Sequence, residues 1–262
     1  MKTYLDAFQP NRAVSAQTMR VLIGAQIALA ILIWWLTPWA VLPKPPEVFA
    51  ALGRLWTQEG LGQELITSFL MNVEALLITA ALSLGLSYLT VLPAIRPIVA
   101  AISKGRFLGL IGLTFVFTLM VGGGRPLKLA LLVFGMTVFF ITSMASVVAE
   151  IPKAAFDHAR TLRMTEWRSV WDVVVLGTLD KAIEVFRQNA AIGWMMLTMV
   201  EGISRAEGGV GAMLLNQNKH FHLAEVFAIQ ILILVVGLGQ DYLIGVAKRF
   251  LCPWAELTLE RQ

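Results

Sequence analysis

A single cysteine, Cys252, in a chain of 262 residues leaves no partner for an intramolecular disulfide and no cysteine set for a metal. Charge is scarce as well. Asp, Glu, Lys and Arg make up 15% of the chain, against roughly 25% in a soluble domain, which excludes an ordinary water-soluble globule. No Gly-x-x-x-x-Gly-Lys-Ser/Thr segment is present, so nothing here cradles nucleotide phosphates. Gly122-Gly123-Gly124 lacks the lysine and the hydroxyl that such a loop needs. No run of Lys and Arg occurs, so the net charge of +4 reads as basic loops and not as a nucleic-acid surface. The three histidines are His158, His220 and His222. The last two form a His-x-His pair without a third ligand, which reads as a solvated loop. No catalytic constellation emerges, and the chain reads as no enzyme.

What is present is oil: 57% of the residues are hydrophobic. The apolar residues fall into six runs, at about 21–42, 65–92, 107–121, 127–149, 188–200 and 223–247. Each is near the roughly 20 residues that cross a hydrocarbon core, the third and fifth being short. The runs are continuous and not alternating, so they predict helices, not barrel strands. The expected fold is an all-α integral membrane protein of about six transmembrane helices. Residues 1–20 form an N-terminal arm, 21–247 a single transmembrane domain, and 248–262 a tail. The first run is too long for a signal-peptide core and reads as an uncleaved span. Trp34, Trp35 and Trp39 close it, Pro43, Pro45 and Pro46 stop the helix, and a short amphipathic helix follows at 47–56. With the N-terminus inside, inner segments hold 15 of the 21 Lys and Arg residues. They include Lys2, Arg12, Arg20 and Arg261, while Lys128 and Arg205 fall outside. Both termini are therefore expected in the cytoplasm. No internal repeat is visible.

The longest polar stretch is 150–187. Within it Phe156, Ala159, Leu162, Trp167, Val170 and Trp171 recur at helical spacing, with Arg160, Arg163 and Arg168 between them. This predicts an amphipathic helix over about 152–171, with an exposed apolar ridge of Phe156, Ala159 and Leu162. Asp157, Glu166, Asp172, Asp180 and Glu184 accompany the arginines, and anionic lipid would repel them. A protein partner fits better. Inside the spans, Asn72, Glu74, Asn189, Gln230, Gln240 and Asp241 are polar. Glu74 is either an ion site or an inter-helix hydrogen bond. Asp241 is expected within reach of Lys248 or Arg249, in a structural role. No Lys or Arg falls mid-span.

Asp157-His158-Ala159-Arg160-Thr161-Leu162 resembles the Glu-Ala-Ala-Arg-Thr-Leu of a known cytoplasmic signature, with Arg163 at its Gly and Val175-Leu176-Gly177 at its Val-Leu-Pro. Leu42-Pro43-Lys44-Pro45-Pro46-Glu47-Val48 resembles the same family's Leu-Pro-x-Pro-x-Glu-Val. Gly122, Gly124 and Lys128, then Glu201 with Gly208-Gly209-Val210-Gly211, fit its two outer loops. Val226-Phe227-Ala228, Gly237, Asp241 and Pro253-Trp254 fit its last span and tail. Over about residues 40–254 the chain resembles the permease subunit of ABC importers of the nitrate/sulfonate/taurine class.

The resemblance implies a multi-pass protein of the inner or plasma membrane, surrounded by lipid, with no nucleic-acid partner. It implies a second permease copy, as homodimer or heterodimer, and a separate ABC ATPase subunit carrying ATP, this chain binding no cofactor. A periplasmic or extracellular binding protein would deliver a small solute, nitrate, sulfonate or taurine-like. Phe156, Asp157, Ala159, Leu162 and Arg163 would couple to the ATPase. Asn72, Glu74, Asn189 and Glu201 are candidates for the translocation path. Arg163 and Gly177 depart from the signature, which raises the prospect of an unusual ATPase or a degenerate subunit. Two other readings stand: a secondary transporter or channel using Glu74, and a non-transporting membrane scaffold.

Overall fold

The structure, a computed structural model, describes residues 15–39, 41–204 and 207–254. Lys2, Arg12, Arg205 and Arg261, on which part of the topology expectation rested, lie outside these residues.

Helix α1 spans Ala16–Leu36. Ser15 caps it by accepting the Thr18 N–H at 3.2 Å, and Pro38 lies just past its end. Trp34 Nε1 donates to the Pro43 carbonyl at 3.0 Å, which fixes the chain's return. Helix α2, Pro45–Gln58, starts on two prolines, where a missing N–H costs nothing. It buries Val48, Ala51 and Leu55. Gly60, at φ +69°, then turns the chain into α3, Leu61–Tyr88. Helix α4 covers Arg96–Lys104, α5 Leu110–Val121 and α6 Arg125–Ala149. Gly122 and Gly124, both at positive φ, make the turn between α5 and α6. Helix α7 is Lys153–Thr161, α8 the short Glu166–Ser169, and a π-helical turn Val170–Leu176 continues it. Helices α9, Leu179–Ile203, α10, Val210–Lys219, and α11, Leu223–Leu251, complete the described chain.

Among the described residues four helices, α1, α3, α6 and α11, are long and apolar enough to cross a membrane. The fold is thus that of an all-α membrane protein, but two of the six expected spans differ. The run at 107–121 yields only α5, whose 12 residues reach about 18 Å at 1.5 Å per residue. It joins the 96–107 segment at a bend of 116°, so the pair makes at most one broken span. The run at 188–200 is the second half of α9, whose first half carries Asp180, Lys181, Glu184 and Arg187. Hydrophobic runs mark where a helix meets oil, and a helix that enters the bundle charged extends beyond its run.

The core lies where α3, α6 and α9 meet, with α10 and α11 packed on α9. Leu131, Leu132, Met136, Phe140, Ile141 and Met144 of α6 are fully buried there. Small residues set the crossings: a Cβ on Gly193 would strike Asn72, and one on Gly135 would press on Met196 and Leu110. The outward faces are apolar, as Ile27, Leu70, Phe115 and Leu234 illustrate. In water that surface would aggregate; in lipid it is the expected solvent contact. Arg54 of α2 reaches Glu225 of α11 at 2.7 Å and ties the interfacial helix to the last span.

Candidate functional site

Two regions carry the polar chemistry, one at each end of the bundle. The first contains α7. Pro152 stands at its N-cap, and Leu162 at its C-cap. The next residue, Arg163, has φ +55°, the left-handed conformation that glycine adopts most easily. Its N–H donates to the Arg160 carbonyl at 2.9 Å, and the Met164 N–H donates to Ala159 O at 3.2 Å, closing the helix end. So the backbone keeps a glycine-type turn although the side chain is arginine. Arg163→Gly should therefore raise stability by about 1 kcal/mol, the left-handed penalty less the added freedom of the unfolded chain. Thermal unfolding in detergent measures this, and an unchanged or lowered midpoint argues against the left-handed turn.

The single amphipathic helix expected over 152–171 is broken at this turn. Its apolar ridge is also not uniformly exposed. Ala159 is buried and Phe156 is half-buried, facing a cavity of about 810 Å³ whose walls include Val99, Val148, Trp167 and Val170. Leu162 remains exposed at 57%. Trp167 and Trp171, four residues apart in the segment that follows, are exposed as well. Asp157 and Arg160 pair at 3.2 Å, Arg160 and Glu166 at 3.5 Å, all solvated and worth little in stability. Gly177 closes the π-helical turn, and a Cβ there would run into the Val173 carbonyl. The departure from the family's proline thus has a local reason.

At the opposite end the loop 207–210 folds over a buried polar cluster. Ser68 Oγ donates to Glu201 Oε1 at 2.6 Å and accepts the Val210 N–H at 2.9 Å. The Gly211 N–H donates to Glu201 Oε2 at 2.8 Å. Lys128 is 1% exposed, and its Nζ donates to the Gly208 carbonyl at 2.8 Å. The Gly209 N–H donates to Glu64. Gly208 and Gly209 have positive φ, a Cβ on Gly209 would collide with Glu201, and one on Gly211 with the Thr198 backbone. Only glycines bring the loop this close. Lys128, expected in an outer loop, is thus a fully buried cation in the first turns of α6. Its spacing from Gly122 and Gly124 was the sequence's only hint.

The four path candidates do not converge. Glu201 is enclosed in the loop cluster. Glu74 pairs with Arg125 at 2.5 Å on the bundle's surface. Asn72 is buried and lies 3.4 Å from Gln240, whose Oε1 also accepts the Trp194 indole N–H at 2.7 Å. Asn189 is buried and donates back to the Val185 carbonyl at 3.2 Å. Asp241 pairs not with Lys248 or Arg249 but with Arg187, through two bonds of 2.6 Å. Lys248 instead donates to Glu184 at 2.9 Å. Sequence spacing favoured neighbours one or two turns away, whereas the partners come from α9, far along the chain. His220 and His222 each bond within 216–217, at 2.8 Å, and among the described residues no group of three His, Cys, Asp or Glu is placed to hold a metal.

No known family pattern and no curated protein matches this chain. Among solved structures it is similar to a chain of the MetNI methionine ABC transporter in inward-facing conformations. The two share 16% identity at a TM-score of 0.53, over 76% of this chain and 96% of that one. At that identity the likeness speaks of fold alone: this chain shares the all-α membrane architecture of that transporter chain.

Proposed function

We propose that the chain is the permease subunit of an ATP-binding-cassette importer, forming with a second copy the path for a small solute. The single observation that carries the proposal is the likeness in fold, which takes in nearly the whole of the transporter chain it matches. A separate ATPase would dock on the exposed end of α7, around Leu162, and hydrolyse the ATP. A rigid helix held by a moving partner transmits that motion to the spans, and ATP biases the two packings only by binding one better. A binding protein outside would present the solute. A nitrate, sulfonate or taurine-like solute follows from the sequence resemblance. The basic side of the α7 segment is assigned to the cytoplasm by the distribution of Lys and Arg. Reconstitution tests this: proteoliposomes holding this chain, its ATPase and its binding protein should accumulate solute only with ATP, and ATP-independent uptake refutes it. A carrier driven by Glu74 is disfavoured by the Glu74–Arg125 pair, since the carboxylate is already engaged by a guanidinium of the same chain at 2.5 Å. Glu74→Gln should leave the pH dependence of uptake unchanged; a lost dependence restores the carrier reading.

A further inference from the structure

The cavity of about 810 Å³ beneath α7 has no part in the importer reading. Its walls come from α4, the end of α6, α7 and the segment 166–170. Val99, Ala100, Val148, Phe156, Trp167 and Val170 make it largely apolar. Its volume lies in the range that holds a small organic ligand. The charged members of the wall set the sign of what it takes. Arg160 is already answered by Asp157 at 3.2 Å and by Glu166 at 3.5 Å. Arg96 is not. Its Nε donates to the Thr90 carbonyl at 2.9 Å, and among the described residues no carboxylate pairs with it. That bond anchors one edge of the guanidinium and leaves both Nη groups for an oxyanion.

The surroundings of Arg96 favour the same sign. Arg96 opens α4, and Ile95 at the N-cap offers no side-chain acceptor to the first N–H groups, so the helix end also prefers an anion. From Leu89 to Val121 the chain carries Arg96, Lys104 and Arg106 and no acidic residue. The outer side of the same segment names the source. Ile98, Phe107 and Leu108 are exposed, apolar surface of the kind that lies against lipid. An oxyanion bearing an apolar chain satisfies both parts of the cavity, and the membrane supplies one in that form.

We infer that the cavity beneath α7 seats an anionic phospholipid, its phosphate on Arg96 and one acyl chain along Val99, Val148 and Phe156. The chain fills the space on which Phe156 rests and so supports α7 from below. Headgroup charge in the membrane then bears on how firmly α7 is held. This seat is independent of the importer reading.

Lipid binding to the purified full chain tests it, with no ATPase present. Native mass spectrometry of the chain in mixed micelles counts retained phosphatidylglycerol against phosphatidylcholine of the same acyl composition. The wild-type chain should prefer phosphatidylglycerol by about tenfold, the scale of one charge-assisted contact. Arg96→Gln should bring that preference below about twofold, and Arg96→Lys should keep part of it. Lys104→Gln, on the same helix but not in the cavity wall, should leave it unchanged. Ala100→Trp fills part of the cavity and should weaken retention of both lipids with Arg96 intact. A preference that survives Arg96→Gln, or that Lys104→Gln lowers as much, overturns the site and leaves a diffuse basic surface. Unchanged retention in Ala100→Trp overturns the acyl seat. Loss of the preference on adding inorganic phosphate overturns the lipid and leaves a site for a free oxyanion. None of these outcomes bears on ATP-driven uptake, so the two readings fail separately.

Discussion

Leu162→Asp should abolish ATP-driven uptake, at least a hundredfold, while the helix bundle stays folded. Leu162 is 57% exposed and touches no core, so the fold should change by no more than about 0.5 kcal/mol. Docked in a partner's groove, the leucine contributes about 2 kcal/mol of burial. Aspartate forfeits that and adds an unpaired carboxylate, which costs a further 1–3 kcal/mol or more. A total of about 3 kcal/mol or more is a factor of a hundred and upward in affinity. Phe156→Ala should act differently. Phe156 faces the cavity beneath α7, so its loss should loosen how α7 sits on the bundle and lower the unfolding midpoint as well. Uptake and detergent unfolding, measured together on both variants, separate docking from support. Wild-type uptake in Leu162→Asp would move the docking surface elsewhere, with Trp167 and Trp171 the next candidates.

Glu201→Leu should destabilise the chain by about 2–4 kcal/mol, the scale of leaving buried hydrogen-bond donors unpaired. The change orphans the Gly211 N–H, frees the Ser68 hydroxyl and leaves the enclosed Lys128 without its nearby carboxylate. Glu201→Gln keeps an acceptor for Gly211 and should lose less. Lys128→Met alone leaves the Gly208 carbonyl unpaired, and should also be costly. If the two side chains act as a unit through the 208–211 loop, the double variant Glu201→Leu, Lys128→Met is much less damaging than the sum of the singles. Additive losses in chemical denaturation would show that the loop is held by the glycine contacts alone. The same cluster explains why Glu201 does not serve as a free solute ligand: both its oxygens are already accepting.

The spans were the most legible part of the sequence, because a long apolar run admits few structures in lipid. The stop after the first span at Pro43 and the turn at Gly122–Gly124 were readable from proline and glycine, whereas the helix read at 47–56 begins at Pro45 and the turn at Gly60 went unread. The α7 stretch was legible as a polar segment but not in detail. Periodicity identifies a face without saying which way it points, so Ala159 and Phe156 were read as exposed when they turn toward the bundle. The break at Arg163 was masked by its side chain, since arginine rarely takes positive φ. The pairings of Arg187 with Asp241 and of Lys128 with the 208–211 loop join residues 54 and 80 positions apart. Contacts at that range come from packing, and a local reading of spacing has no access to them. The Glu201 loop was found only through resemblance; its geometry, glycine backbone against a carboxylate, became clear once α6 and α9 were placed side by side.

The most direct test of the importer assignment is ATP hydrolysis by the complex purified through a tag on this chain from its native membrane. Vanadate-sensitive hydrolysis that co-purifies with the wild-type chain, and is lost with Leu162→Asp, is the expected result. A wild-type preparation that retains no ATPase, or a Leu162→Asp preparation that retains it in full, contradicts a permease driven through α7.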